Sequence, residues 1–337
     1  MAKVLHCIND DSVARGGAQK ILNLLKCDDV KVITLKQFGV SNKIVTLSMQ
    51  IFYYLITSLF SKADCVFIHS RCYLPLSIVF RMFGVHTVFY THAHYRKHRW
   101  LFKLFECNSY IAVSKAVADS LVLDGVDEES VIVISNPNVM SLVEKKSEAK
   151  HYSINNVASI GSLKSWKGFD LALSLLGVLS DDRGEVINYS IVGEGPLREK
   201  LESLSFDLGL VNLSLLGYCE SPFALIEDDP IVIIPSLEEG FGLVAIEAIS
   251  QNKILLYSNV PALKEVCGDD PLSFSFDVKD IESFKGAFSL AERSLSKLNS
   301  NSIRDNRQNR ILNEFGIGGF YMKHNKFLKQ VIHDELY

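Results

Sequence analysis

The sequence predicts an α/β protein built from two doubly wound, parallel-sheet domains that face a central cleft. Three observations lead there. Short apolar runs alternate with longer helical patterns along nearly the whole chain, a polar stretch interrupts that rhythm once, near residue 145, and the 337 residues exceed what one hydrophobic core usually fills. With 48% apolar and 22% charged residues, the composition supplies ample core and excludes a disordered or collagen-like chain.

In order, the run Val4-Leu5-His6-Cys7-Ile8 reads as a strand. A loop follows, then a helix from Gly17 in which Ala18, Ile21, Leu22 and Leu25 recur at helical spacing. Strand-like runs recur at residues 30–35, 65–69, 87–91, 110–113 and 131–134, most of them separated by helical patterns. The polar run Glu144-Lys145-Lys146-Ser147-Glu148-Ala149-Lys150 breaks the pattern. It restarts at 157–161, and further strands are expected at 189–192, 213–216, 231–234 and 254–257. The expected domains are therefore 1–150 and 151–316, with a helical tail over 317–337 that crosses back to brace the first. Ligands of such sheets gather at the carboxyl ends of the strands, which is where functional side chains are sought.

Charge and cysteine usage narrow the function. With 35 basic and 39 acidic side chains, the net charge of −4 argues against nucleic acid as a partner. The seven cysteines, Cys7, Cys27, Cys65, Cys72, Cys107, Cys219 and Cys267, form no Cys-x-x-Cys pair, so neither a zinc site nor a redox motif is expected. A reducing cytoplasm is the expected compartment, and residues 1–9 lack the basic start and apolar stretch of a signal peptide. Residues 44–60 run 17 positions without a charge, diluted by Ser48, Gln50, Thr57 and Ser58, and are expected as a buried or interfacial helix rather than a membrane span.

The chemistry concentrates in the second half. In Ser236-Leu237-Glu238-Glu239-Gly240-Phe241-Gly242-Leu243-Val244-Ala245-Ile246-Glu247-Ala248 a buried strand ends, the chain turns through two glycines, and an apolar helix begins. The first amides of a helix are donors at the positive end of its dipole, and glycines let a ligand approach them, an arrangement suited to a diphosphate. Glu239 and Glu247 would repel phosphate, so they fit sugar hydroxyls. On this stretch alone, a plain strand-turn-helix with Glu239 as a cap and Glu247 solvated explains the sequence equally well. Two more strand-glycine-helix turns decide it. Gly161-Ser162-Leu163-Lys164-Ser165-Trp166-Lys167-Gly168 adds two ammonium groups, and Ile191-Val192-Gly193-Glu194-Gly195-Pro196-Leu197 places Pro196 at a first helical position. Three such turns at strand ends of one sheet mark an anion site more specifically than any one of them.

These residues resemble the donor domain of family 4 glycosyltransferases, retaining enzymes of the GT-B fold with two Rossmann-like domains. Their signature, a Glu, seven residues and a second Glu, falls on Glu239 and Glu247. Gly193-Glu194-Gly195-Pro196 and Lys167-Gly168 stand in the family's order. So do Ile111-Ala112-Val113-Ser114-Lys115-Ala116-Val117, Ser135-Asn136-Pro137-Asn138-Val139 and, in the opening glycine loop of the acceptor domain, Gly16-Gly17-Ala18.

The resemblance implies that Lys167 neutralises the donor diphosphate. The amides around Phe241, Gly242 and Leu243 hold phosphate or sugar, Glu247 the ribose, and Glu239 the transferred sugar. Gly161, Gly193 and Gly195 complete the donor loops, and Gly16, Gly17 and Arg96 stand on the acceptor side. Where the family has Arg, this chain has Ser162, which supplies neither charge nor a bidentate fork; Lys164 is the candidate substitute. No Asp-x-Asp occurs, so transfer is expected without metal or cofactor, from a nucleotide-sugar donor. As a glycosidase pair, Glu239 and Glu247 are poorly arranged, standing on one loop-helix unit. The family's strand-end histidine is either His92 or His94, within Tyr90-Thr91-His92-Ala93-His94-Tyr95-Arg96.

Between residues 95 and 105, basic Arg96, Lys97, Arg99 and Lys103 interleave with Trp100, Leu101, Leu104 and Phe105. An amphipathic helix there either packs into the domain or lies on anionic lipid. The second reading, together with the family, implies an inner-leaflet membrane surface and a lipid-linked or oligosaccharide acceptor in lipopolysaccharide, O-antigen or capsule assembly. Two alternatives stand beside it: a nucleotide-sugar epimerase of the same fold, and a non-catalytic binder of sugar nucleotides. A dehydrogenase lacks its Gly-x-Gly-x-x-Gly in the first strand-helix turn.

Overall fold

The computed structural model describes residues 4–8, 17–25, 30–34, 63–95, 97–140, 152–209 and 211–333. Gly16, Arg96, the uncharged run 44–60 and the polar run 144–150 lie outside the described residues. Backbone contacts group the chain into two compact units, Met1–Pro137 with Gly318–Tyr337, and Asn138–Ile317.

In the first unit, β1 (Val4–Ile8), β2 (Val30–Thr34), β3 (Cys65–Ile68), β4 (His86–Thr91), β5 (Ser109–Ala112) and β6 (Val131–Val133) form a parallel sheet in the order β2-β1-β3-β4-β5-β6. The strands Cys65–Ile68 and His86–Thr91 are buried through nearly their whole length because helices cover both faces of such a sheet. Ser114 opens the helix Lys115–Leu123 by accepting a hydrogen bond at Oγ from the Val117 amide, 3.1 Å away. The C-terminal helix, Ile317–His333, seats Phe320, His324, Phe327 and Val331 in this unit. Phe327 meets Phe67 edge-on at 6.3 Å, and the Tyr321 hydroxyl donates to Leu24 O at 2.8 Å. The tail thus crosses back to the first unit, as expected.

In the second unit, β7 (Asn156–Ile160), β8 (Ile187–Val192), β9 (Val211–Gly217), β10 (Ile231–Ile234), β11 (Ile254–Ser258) and β12 (Ser273–Phe276) are again parallel, in the order β12-β11-β10-β7-β8-β9. The strand order reverses between β7 and β10, so the crossovers on either side turn to opposite faces and leave a crevice at the carboxyl ends of those two strands. Ser159 spans this junction inside the sheet. Its Oγ donates to Ile233 O at 2.6 Å and accepts from the Tyr189 hydroxyl at 2.7 Å. Strand β12 has no counterpart in the sequence reading, because Ser-Phe-Ser-Phe at a sheet edge buries only Phe276 deeply and makes no continuous apolar run.

A buried ionic cluster fixes the far edge. The Arg307 guanidinium, from the helix Asn301–Phe315, donates to both Asp270 oxygens (2.7 and 3.1 Å), to Asn252 Oδ1 (3.0 Å) and to Lys253 O (2.6 Å). Lys253 in turn donates to three carbonyls, those of Ile226, Glu227 and Asp229. Arg307→Ala leaves the Asp270 carboxylate buried without its cation, so a loss of about 3–5 kcal/mol in unfolding free energy is expected. Chemical denaturation reads this, and a cost under about 1 kcal/mol contradicts the role given to the cluster.

Candidate active site

The two connections that flank the β7/β10 crevice are fastened to one another. The Leu237 amide donates to Trp166 O at 2.8 Å. Gly168, at φ +68°, lies so close to Pro235 that a Cβ there would collide with the Pro235 carbonyl oxygen. Beside this contact Lys167 Nζ donates to Glu239 Oε1 at 2.5 Å, and the same oxygen accepts from Ser236 Oγ at 2.8 Å. Ser236 is itself held through its carbonyl by Ser258 Oγ, 2.5 Å away. With 19% of the Lys167 side chain and 14% of the Glu239 side chain exposed, the ion pair is mostly buried yet still reachable from solvent. Lys167 and Glu239, 72 positions apart, therefore form one charged unit.

The third glycine turn locks onto the first. Leu163 N donates to Glu194 O (2.9 Å), Leu197 N to Leu163 O (3.1 Å) and Gly161 N to Val192 O (3.0 Å). A Cβ on Gly193 would collide with Gly161 O, and one on Gly195 with the Leu163 backbone. The glycines at 193 and 195 are thus demanded by backbone interlocking before any ligand is considered, whereas Gly161 is favoured by its φ of +151°. The Glu194 side chain turns away, 3.1 Å from Arg198 Nη2 on the surface.

Gly242, at φ +100°, starts the helix Leu243–Ser250 without a side-chain cap. The amides of Leu243 and Val244 precede the first intrahelical bond, which Ala245 N makes to Gly242 O at 2.9 Å. Phe241 is buried and meets Phe315 edge-on at 5.6 Å, so this residue offers backbone rather than ring. Glu247 is 3% exposed, which removes the reading of a solvated helix carboxylate. Lys164 sits 4.9 Å above the Trp166 ring, and Ser162 is half-buried.

The first unit places its chemistry at the same ends of its strands. His92, just past β4, has its Nε2 2.9 Å from His69 Nδ1, and His69 Nε2 is 2.8 Å from His6 Nδ1. The Tyr90 ring stacks on His92 at 4.6 Å, and its hydroxyl faces His324 Nε2 at 3.1 Å. Burial pushes His92 down to about 3 and His324 to about 4. Burial, followed by the charges of His324 and His92, takes His6 to about 3, and His69 is lowered by burial and then by the charges of His6, His92 and His324. His94 is half-buried nearby and has its own partners. His6 and His69 escaped the sequence reading, since each is a single histidine in or beside an apolar strand. Only the strand order brings them to His92.

Gly17 begins the helix Gly17–Leu25. The amphipathic helix expected over 95–105 is reduced to one turn, Leu101–Leu104, of which Phe102 is the buried member. Trp100 and Leu104 are exposed instead, because Arg71 stacks on Tyr95 at 4.0 Å and Arg99 pairs with Asp124, holding the flanks out of helical register. Among the described residues no group of three or more His, Cys, Asp or Glu side chains converges as a metal set, and no helix is long and apolar enough to cross a membrane.

The model of group 1 glycosyl transferases matches residues 142–308, and that of glycosyltransferase family 4 matches residues 29–137. An uncharacterized glycosyltransferase of Methanocaldococcus jannaschii is 27% identical over 177 residues, 51% of this chain and 47% of the relative. The O-antigen chain mannosyltransferase RfbU of Salmonella typhimurium is 26% identical over 207 residues, 57% of this chain and 56% of the relative. The chain thus spans about half the length of the curated relatives it matches. Anabaena HepE, solved with UDP and glucose, shares the fold at a TM-score of 0.76 and 15% identity, over 98% of this chain and 100% of the other.

The histidine cluster makes a prediction about pH. Histidines with folded-state values below the usual 6.5 stay neutral while the unfolded chain takes up protons, so their contribution is complete above 6.5 and is lost as pH falls towards about 3. The His6 and His92 ring resonances are expected not to titrate between pH 8 and 5 in NMR spectra, while the denaturation midpoint falls from pH 7 to 4. A midpoint near 6.5 for either ring contradicts the burial argument.

Proposed function

The chain belongs to the group 1 glycosyltransferases of family 4, with the GT-B fold, and we propose that it is a retaining, metal-independent hexosyltransferase. In this reading it moves sugar from a nucleotide-diphosphate donor to a lipid-linked saccharide in surface-polysaccharide assembly. The observation that carries the reading is the Lys167–Glu239 pair beside an uncapped helix start at the strand-order reversal. As the donor bond breaks, negative charge grows on the departing diphosphate. Lys167 and the amides of Leu243 and Val244 are already in place to receive it, so stabilisation costs little reorganisation. Glu239 orients Lys167 and meets the transferred sugar, and Glu247 accepts from the ribose. Gly161, Gly193 and Gly195 keep the loops at the distance this requires. The acceptor hydroxyl attacks from the leaving-group face as the sugar–diphosphate bond breaks, its proton passing to the departing diphosphate oxygen, without a covalent intermediate. The name of the O-antigen relative supports a surface-polysaccharide acceptor, and the complex of HepE supports a nucleoside-diphosphate donor.

A surface of the first unit supports the lipid-linked acceptor. Met82 and Leu123 are each 80% exposed, Phe83 59%, Trp100 57% and Leu104 56%. The Arg99–Asp124 pair, the Lys103 chain lying over Gly125 and the Arg81 bond to Glu106 O draw these segments together. These linked segments carry exposed apolar side chains together with the basic Arg99 and Lys103, the composition of a contact with anionic lipid. The double variant Trp100→Glu, Leu123→Glu is expected to lower sedimentation with phosphatidylglycerol vesicles about fivefold or more, with nucleotide binding retained. Undiminished sedimentation contradicts the assignment.

The direct test is a panel of nucleotide sugars scored for nucleotide release with and without lipid-linked acceptors, in the presence of a chelator. Acceptor-dependent release that survives chelation is expected. Release without acceptor indicates the epimerase, and binding without turnover the silent relative that Ser162 would permit. In the active pair, Glu247→Gln is expected to raise the donor KM about tenfold, and Glu239→Gln to lower kcat by about a hundredfold. Unimpaired activity in both contradicts the assignment, and a large loss in Ser162→Arg would show that the serine has its own function.

A further inference from the structure

Three neighbouring strands of the first sheet each deliver one histidine to a single line. His6 lies in β1, His69 one residue past β3 and His92 one residue past β4, and the order β1-β3-β4 sets them side by side. The His69 amide donates to Cys7 O at 2.9 Å, which carries the strand ladder up to the level of the rings. The imidazoles stack, with centroids 5.1 Å apart from His6 to His69 and 5.2 Å from His69 to His92. The ring nitrogens link end to end: His6 Nδ1 to His69 Nε2, then His69 Nδ1 to His92 Nε2.

A neutral imidazole has one N–H and one lone pair. His69 uses both nitrogens, so the direction of one bond dictates that of the other, and the tautomer of His92 is tied to that of His6. One nitrogen remains over: His92 Nδ1 is buried and, among the described residues, has no hydrogen-bond partner. The ring cannot turn without losing its bond to His69. Tyr90 covers it at 4.6 Å, and Tyr90 is held in turn by stacking on His324 at 5.6 Å. Among the described residues, the titratable groups around His92 are therefore His69, His6, Tyr90 and His324.

We propose that His69 and His6 are positioning residues for sugar transfer, holding the His92 imidazole in one orientation and one tautomer with Nδ1 turned to a hydroxyl of the reacting saccharide. This rests on the transferase reading above. The relay orients a hydrogen bond and moves no proton, in keeping with rings that stay neutral above about pH 5. Neither His6 nor His69 touches substrate, so neither is a catalytic residue.

Two substitutions at His69 separate orientation from bulk. Phe keeps a stacked ring and removes both nitrogens, whereas Asn sets an amide near the position of Nδ1 and keeps the link to His92. In the full-length protein, His69→Phe is expected to lower kcat about tenfold or more with the donor KM changed less than about twofold, and His69→Asn to recover most of the loss. His92→Phe combined with His69→Phe is expected to be no slower than His92→Phe alone, because residues acting as one unit are not additive. Nitrogen-15 spectra of the wild-type protein are expected to show one His92 tautomer, and those of His69→Phe a mixture. Wild-type kcat in His69→Phe, or a tautomer mixture in the wild-type protein, overturns the proposal. If no preparation transfers sugar and the single tautomer is still lost in His69→Phe, the transferase reading fails and the relay stands.

Discussion

The second unit depends on a constraint of sheet topology. Reversing the strand order between β7 and β10 forces two connections apart, and the chain must then fasten them without filling the gap between them. It does so with backbone. Gly168 lies against the Pro235 carbonyl, Leu237 hydrogen-bonds Trp166, and the 193–195 turn interlocks with 161–163. These contacts need glycine because a Cβ at any of the close approaches would meet a carbonyl oxygen. The side chains left at the rim, Lys167 and Glu239, can then be charged and half-buried together. A lone ammonium in that position would be costly to desolvate, whereas a paired one is held ready at little expense.

The two units build their strand ends with opposite electrostatics. In the second, charge is concentrated at the topological switch: an ammonium, a carboxylate and the open end of a helix. In the first, the strand ends carry imidazoles kept neutral by burial, so they present directed hydrogen bonds in place of charge. The difference follows from which side chains each sheet can bury.

The fold was legible because periodicity is a property of neighbours in sequence. Runs such as Ile231–Ile234 and Ile254–Ser258 are apolar on both faces and announce a covered parallel sheet. Strand β12 was not, because an edge strand is half polar. The glycine loops were legible as motifs, yet Gly193 reads alike whether it serves a ligand or a neighbouring loop, and only the collision with Gly161 O assigns the second role. The Lys167–Glu239 pair and the three-histidine line were illegible for one reason: their members lie 72, 63 and 23 positions apart, and strand order, not spacing, joins them. The single turn at Leu101–Leu104 shows the converse, a convincing local pattern overridden by Arg99 pairing with Asp124.

At the centre stands the claim that the Lys167 ammonium, aligned by Glu239 at the topological switch, is what grips a diphosphate. Calorimetric titration of nucleoside diphosphates into the wild-type protein and into Lys167→Met measures it most directly, with thermal melting to verify the fold. The account predicts binding that weakens about a hundredfold or more in Lys167→Met, with a cooperative melting transition retained and a steep loss of wild-type binding as salt is raised. Equal affinity in the two proteins would contradict it.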